Sequence, residues 1–229
     1  MADTTFTPLE EAAERIARVA VQNDVDSAEG IIRTLVERGM PIDRVFLDVL
    51  APAARRLGEL WESDDLDFVD VTIGLSRMQQ IVRRLSPPGQ RLHPVNHNGY
   101  RILLSLGPGE QHGFGLMLVE EAFRRAGWAV WGGIAITPDE VAELVEEQHF
   151  DAIGLSLSSD RLLDGLGSFI QRLRDAAHPA QPIVLVGGRV FTDDPEAVHQ
   201  VGADATANDA HEAVRHAEAR LQRILGGTA

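Results

Sequence analysis

The sequence contains no cysteine, and among its 21 basic residues there is no lysine, so every one is arginine. Without thiols there are no disulfides, no thiolate zinc or iron-sulfur sites and no thioether-linked chromophores; without lysine there is no Schiff base. Any metal has to be held through His, Asp or Glu. Positive charge is also short. The net charge of -14 argues against a protein that grips a phosphate backbone by itself, since that binding depends on clustered positive charge, and direct nucleic-acid binding is not expected. A small molecule or a partner protein is the expected target. No apolar run reaches about 18 residues, and Met1-Ala2-Asp3-Thr4-Thr5 lacks a basic region followed by an apolar one. The chain therefore reads as soluble and cytoplasmic, with no membrane association.

What is present divides at a break. At 229 residues the chain is long enough for one large domain or two small ones. Residues 1–86 read as all-helical, 87–98 as a linker, and 99–229 as alternating strands and helices. The first helix starts at Pro8-Leu9-Glu10-Glu11 and runs to about Val21. The second is expected to be capped by Asp26 or Ser27, to carry Ile31, Leu35 and Val36 on its apolar face, and to stop near Gly39. A third opens at Pro41 and places Val45, Phe46, Val49, Leu50, Leu57, Leu60 and Trp61 on or near one face, with a kink expected at Pro52. The fourth begins after Asp67, with Asp70 as a capping-box partner, and keeps Val71, Leu75, Met78, Val82 and Leu85 at alternating four- and three-residue steps. Four short helices make a bundle. Ser86-Pro87-Pro88-Gly89-Gln90 then breaks the pattern.

Beyond the break, strands are expected at Ile102 to Leu106, Ala129 to Gly132, Ala152 to Leu157, Ile183 to Val186, and weakly at Asp204 to Thr206. Thr137-Pro138-Asp139-Glu140 is a capping box with proline at the first helical position, and Asn208-Asp209 heads the final helix. The fold class is α/β: an N-terminal four-helix cap, then a flavodoxin-like, Rossmann-like five-stranded parallel sheet. Ligands of such sheets sit outside the carboxyl ends of the strands. The loop Gly107-Pro108-Gly109-Glu110-Gln111-His112-Gly113-Phe114-Gly115 lies there, between the first strand and its helix. It lacks the lysine of a phosphate-binding loop and a third glycine in dinucleotide register, but it offers an imidazole.

Other candidates carry less. The acidic run Asp64, Asp65, Asp67, Asp70 has no loop glycine and no terminal glutamate in calcium-loop register, and reads as a solvated helix start. His93 and His97 fall in the proline-containing linker, and His211 and His216 are five apart, which splits them across a helix. Gly187-Gly188 alone would be a tight turn after a strand, and Ser158-Ser159-Asp160 a helix cap.

Taken together, Glu110-x-His112-x-x-Gly115, Ser156-Leu157-Ser158 and Gly187-Gly188 resemble the three-part signature of vitamin B12-binding domains, usually Asp-x-His-x-x-Gly, Ser-x-Leu and Gly-Gly. The intervals agree: forty residues lie between Gly115 and Ser156, and twenty-eight between Ser158 and Gly187. The tryptophan-bearing helical module in front is similar to the cap that covers the upper face of the corrin in B12-dependent methionine synthase and in B12 photoreceptor repressors. The resemblance implies that His112 is the lower axial ligand of cobalt, with Glu110 fixing its tautomer, and that Trp61 lies over the other face. It places Gln111, Gly113, Gly115, Ser156, Leu157, Ser158, Gly187 and Gly188 around the cofactor, the later ones beside its displaced nucleotide tail.

Two departures narrow the family. Glutamate stands at 110 in place of aspartate, and at the distance from Trp61 where repressors of the MerR type carry Glu-His this chain has Val71 and Thr72. Leu57-Gly58-Glu59-Leu60-Trp61, the stretch from Asp67 to Leu75, and Pro108-Gly109-Glu110-Gln111-His112 are most similar to the PpaA/AerR antirepressors of photosynthetic bacteria, whose relative AppA carries a similar domain described as a heme-containing sensor. That resemblance implies a light- or redox-responsive regulator without catalysis of its own, binding hydroxo-, methyl- or adenosylcobalamin and acting through a CrtJ/PpsR-type transcriptional repressor. The alternatives are a corrinoid methyl carrier of a methyltransferase system, a heme-binding sensor of the same fold, and a sheet domain without metal.

Overall fold

The computed structural model describes residues 8–22, 24–86 and 98–226. The chain folds as two compact units, Met1–Pro87 and Pro88–Ala229. Residues 87–97 of the expected linker, with His93 and His97, lie outside the described residues.

In the first unit, α1 (Pro8–Val21) buries Ala12, Ala13, Ile16, Ala17 and Ala20, a stripe of small residues that lets its neighbours approach closely. α2 (Val25–Glu37) is capped by Asp24, not by the expected Asp26 or Ser27. The Asp24 carboxylate accepts from the Ser27 N–H three residues on, the reach an N-cap side chain has, and this draws Asp26 and Ser27 into the first turn. The buried face also differs from the expected one. Ala28 and Ile32 point inward, Ile31 and Leu35 are half-buried, and Val36 is exposed, contrary to the expected stripe.

The third expected helix is a continuous rod of three segments, α3 (Ile42–Val45), a π turn (Phe46–Leu50) and α4 (Ala51–Glu62). The irregularity expected at Pro52 takes the form of this π turn, in which the Ala51 N–H reaches back five residues to the carbonyl of Phe46. Proline has no N–H to donate and its ring crowds the carbonyl four residues earlier, so a widened turn just ahead of it relieves both problems. Val45, Phe46, Val49, Leu50, Ala53 and Leu57 are buried along the rod.

α5 (Phe68–Leu85) opens with the expected capping box. Asp67 accepts from the Asp70 N–H at 2.8 Å, and the Asp70 side chain accepts from Asp67 N–H. Its buried residues are Gly74, Met78, Ile81 and Val82; a Cβ at Gly74 would stand 3.0 Å from Leu57 Cδ1, so α4 and α5 meet closely there. Each large side chain fully buried here, such as Leu57 or Met78, contributes about 1.5–3 kcal/mol by leaving water. Arg77 of α5 donates to the carbonyls of Ala20 and Val21, satisfying acceptors that the end of α1 leaves unpaired. Asp67→Ala is expected to lower the unfolding free energy by about 1 kcal/mol, the usual worth of an N-cap, as a fall in the urea midpoint at constant slope.

The second unit is a five-stranded, wholly parallel sheet in the order β2-β1-β3-β4-β5: β1 (Arg101–Leu106), β2 (Ala129–Gly133), β3 (Ala152–Ser156), β4 (Ile183–Gly187) and β5 (Ala205–Thr206). The strands read as unbroken apolar runs because both faces are covered. On one face Leu103, Ile153, Leu155, Val184 and Val186 pack under α7 (Pro138–Glu147) and α8 (Leu163–Ala177). On the other, Ile102, Leu104 and Leu185 pack under α6 (Phe114–Arg125) and α11 (Ala210–Gly226). Two short helices, α9 (Arg189–Asp193) and α10 (Ala197–Gln200), link β4 to β5. Leu106, Ser156 and Gly187 stand in register across β1, β3 and β4, so the three sequence motifs leave the sheet side by side at one edge.

Candidate functional site

The loop after β1 is fastened before it reaches the imidazole. Gly107 N–H donates to the carbonyl of Ser156, and Glu110 N–H to that of Gly107. A Cβ at Gly107 would meet Leu157 Cδ1 at 3.0 Å and one at Gly113 would meet Ile134 Cγ2 at 2.7 Å, so the loop is wedged between the segments that follow β3 and β2. α6 begins immediately after Gly113.

Glu110 turns inward and its side chain is 2% exposed, whereas that of His112 is 72% exposed. One carboxylate oxygen, Oε1, accepts from the N–H of Gln111 at 2.7 Å and of His112 at 2.8 Å, and lies 2.6 Å from His112 Nδ1. The other, Oε2, accepts from the N–H of Ser158. Burial pushes the Glu110 carboxyl upward, but the N–H groups of His112 and Ser158, the imidazole and the Gln111 N–H more than offset it and hold it below its ordinary range. A carboxylate only accepts, so Nδ1 is the protonated nitrogen of the neutral ring, and Nε2, with its lone pair, is left as the open donor.

Among the described residues no group of three or more His, Cys, Asp or Glu is placed to hold a metal ion. An imidazole such as His112 therefore suits a metal that brings its remaining ligands with it, as cobalt in a corrin or iron in a porphyrin does. On this test of donor chemistry the residues fit the group. Such a group would be held by the His112 imidazole, oriented by Glu110, and would supply a metal centre able to exchange a ligand.

The residues named from the sequence take up distinct places. Glu110, Gln111, His112, Gly113 and Gly115 follow β1; Ser156, Leu157 and Ser158 close β3; Gly187 and Gly188 close β4. Gln111 is exposed beside His112. Nothing lies within 4 Å of a Cβ built on Gly115, so the first turn of α6 has free space before it. Ser156 and Ser158 are half-buried at the rim. Leu157 is fully buried in the core, so its side chain offers a ligand no surface; its N–H donates to the Gly187 carbonyl at 2.9 Å. The two glycines differ. A Cβ at Gly188, where φ is +108°, would stand 2.2 Å from the Leu157 carbonyl oxygen, whereas at Gly187 the nearest atom is the Ala207 oxygen at 3.8 Å. Gly188 is thus required by the packing of the rim itself, whereas a methyl at Gly187 would meet its neighbour at ordinary van der Waals distance.

Trp61 belongs to the helical unit, at the end of α4, and is 50% exposed. Phe68, Val69 and Ile73 of α5 are exposed as well.

Sequence reasoning missed Ile134, which backs Gly113, and Leu162, whose Cδ2 lies 3.2 Å from a Cβ at Gly109. It also missed Gly132, where a Cβ would stand 2.2 Å from the carbonyl oxygen of Leu104. The Gly-Gly pair Gly132-Gly133 was the available signal for that last close approach.

Comparison with known proteins agrees with this geometry. The family model of the B12-binding domain matches residues 100–217, and a second B12-binding domain model matches residues 12–86. The chain belongs to the B12-binding domain family. A relative from Rhodobacter capsulatus, described as an uncharacterized 20.5 kDa protein in the bchF-crtJ intergenic region, is 28% identical over 170 residues, covering 74% of this chain and 88% of its own length. Among solved structures, the monomethylamine corrinoid protein of Methanosarcina barkeri superposes with a TM-score of 0.73 at 18% identity, over 91% of this chain and 97% of that one. At that identity the likeness is one of fold.

Proposed function

We propose that this protein is a cobalamin-dependent regulator that responds to light or redox state and relieves a transcriptional repressor of the CrtJ/PpsR type, with no catalytic activity of its own. The observation that carries the reading is the His112 imidazole at the sheet's carboxyl edge, its Nδ1 held by a buried carboxylate and its Nε2 left for cobalt. His112 serves as the lower axial ligand. Trp61 covers the cofactor's upper face, offering a large apolar ring. The match of the chain to B12-binding domain models supports cobalamin over heme.

Regulation then needs little more than a bias. The state of the cofactor's upper ligand shifts a conformational equilibrium of the chain, and one of the resulting surfaces is the one the repressor takes. The Rhodobacter relative from the bchF-crtJ interval supports a photosynthetic setting for such a partner.

The reading is tested by titrating purified protein with hydroxocobalamin, methylcobalamin, adenosylcobalamin and hemin, with absorbance recorded in the dark and after illumination, followed by pull-down of a CrtJ/PpsR-type repressor by each loaded form. Binding of a corrinoid and capture of the repressor by one cofactor state only is the expected result. Binding of hemin alone would assign the heme sensor instead. Methyl transfer from the methylcobalamin form to a thiol in the presence of a methyltransferase, without repressor capture, would assign the methyl carrier.

A further inference from the structure

We propose that Asn98-Gly99 is a deamidation site of this protein, and that the side-chain clasp that slows the reaction in the folded chain is the contact that the reaction destroys. The inference concerns the entry to β1, at the end of that strand away from His112, and stands independently of any cofactor.

Of the four asparagines in the sequence, Asn23, Asn96, Asn98 and Asn208, only Asn98 is followed by glycine. Glycine has no side chain to crowd its own nitrogen, so it is the successor that lets this nitrogen reach the preceding carboxamide most readily. The chemistry needs only water. The Gly99 backbone nitrogen gives up its proton and bonds to Asn98 Cγ, the Cγ–Nδ2 bond breaks, and ammonia departs to leave a succinimide. Water then opens the ring at either carbonyl, giving aspartate or an isoaspartate whose main chain runs through Cγ.

In the fold this carboxamide is engaged at both ends. Asn98 Nδ2 donates to the Ala126 carbonyl at 3.1 Å, Oδ1 accepts from the Tyr100 N–H at 3.0 Å, and the Asn98 N–H donates to the Gly127 carbonyl at 3.2 Å. Ala126 and Gly127 lie just past the end of α6, where carbonyls have no partner within their own helix. The clasp thus ties the entry to β1 to the exit of α6. It also holds the carboxamide plane, because hydrogen bonds to an amide lie close to that plane, whereas attack on Cγ comes from above it. The Gly99 nitrogen attacks only after the side chain has turned and given up both of its bonds.

The product does not restore them. A carboxylate at 98 still accepts from the Tyr100 N–H, but its second oxygen faces the Ala126 carbonyl, acceptor against acceptor, at the negative end of α6. Isoaspartate also lengthens the main chain ahead of Tyr100, whose carbonyl accepts from the Ala129 N–H at the start of β2 and whose ring lies 5.1 Å from that of Trp128.

The test ages the full-length protein at mildly alkaline pH, with and without urea above its unfolding midpoint, and follows conversion at each asparagine by peptide mass mapping. Asn98→Asp is unfolded in urea beside the wild type. Asn98 is expected to convert first in urea, and roughly ten- to a hundredfold more slowly in the folded protein, the worth of two side-chain hydrogen bonds. The unfolding equilibrium constant of Asn98→Asp is expected to rise at least about tenfold, with a changed near-ultraviolet dichroism of the Tyr100–Trp128 pair. If that variant does not fold, the aged wild type, separated into modified and unmodified protein, gives the same comparison. Equal rates in the two samples, a folded sample left unconverted far beyond that span, or earlier conversion in urea at another asparagine would overturn the proposal. An Asn98→Asp chain as stable as the wild type would overturn it too.

Discussion

His112→Ala is expected to weaken hydroxocobalamin binding by at least about a hundredfold, since deleting even the outer partner of a metal-bound histidine costs about 10–100-fold. The side chain is 72% exposed and is bonded to Glu110 through Nδ1, so its removal should change folding stability by no more than about 1 kcal/mol. Glu110 keeps its three N–H donors in the variant and its loop stays in place. The two effects separate a ligand from a structural residue. Absorbance titration gives the first and urea unfolding of the apo protein the second. Free imidazole in the buffer is expected to restore part of the wild-type spectrum by entering the vacated space. A variant that binds cobalamin with unchanged affinity and spectrum would show that cobalt is held elsewhere.

Gly188→Ala should cost on the order of 3 kcal/mol of stability, because the new methyl meets the Leu157 carbonyl at 2.2 Å and the backbone sits at a φ of +108° that an L side chain resists. Gly187→Ala, one residue earlier, is the control with the opposite profile. Its methyl finds no atom nearer than 3.8 Å, so stability should change by less than about 1 kcal/mol. The methyl does occupy the space above the end of β4, beside Ser156, and cobalamin affinity is expected to fall about tenfold or more if a tail seats there. Urea midpoints and absorbance titrations on the two variants resolve the pair. Wild-type affinity in Gly187→Ala would mean that no ligand uses the space.

Much of this arrangement was legible in one dimension because it depends on neighbours in sequence. Apolar runs between turn residues located all five strands, and the Asp67 and Thr137 caps are bonds across three residues. The second helix misled because Val25-Asp26-Ser27 offers two later capping side chains, and because the packing of the helix on its neighbours buries Ile32 in preference to Ile31. Pro52 announced an irregularity, but its form, a π turn upstream, depends on how the rod packs along Val45, Phe46, Val49 and Leu50. Spacing brought out His112 and Glu110. The reach of Oε2 to Ser158, the backing of Gly113 by Ile134 and the pressure of Leu162 on Gly109 join residues from separate strands, and no local pattern encodes them.

The widened turn at Phe46–Leu50 also sets a phase. It holds one residue more than a regular helical turn, and each residue advances a helix by about 100°, so all that follows is rotated by that angle against an uninterrupted rod. The azimuth of Trp61, three turns downstream, is thereby written into a single inserted residue. Tightening that turn to regular α geometry with its length kept would conserve every side chain of α4 and still aim the indole about a quarter-circle away from where it now points.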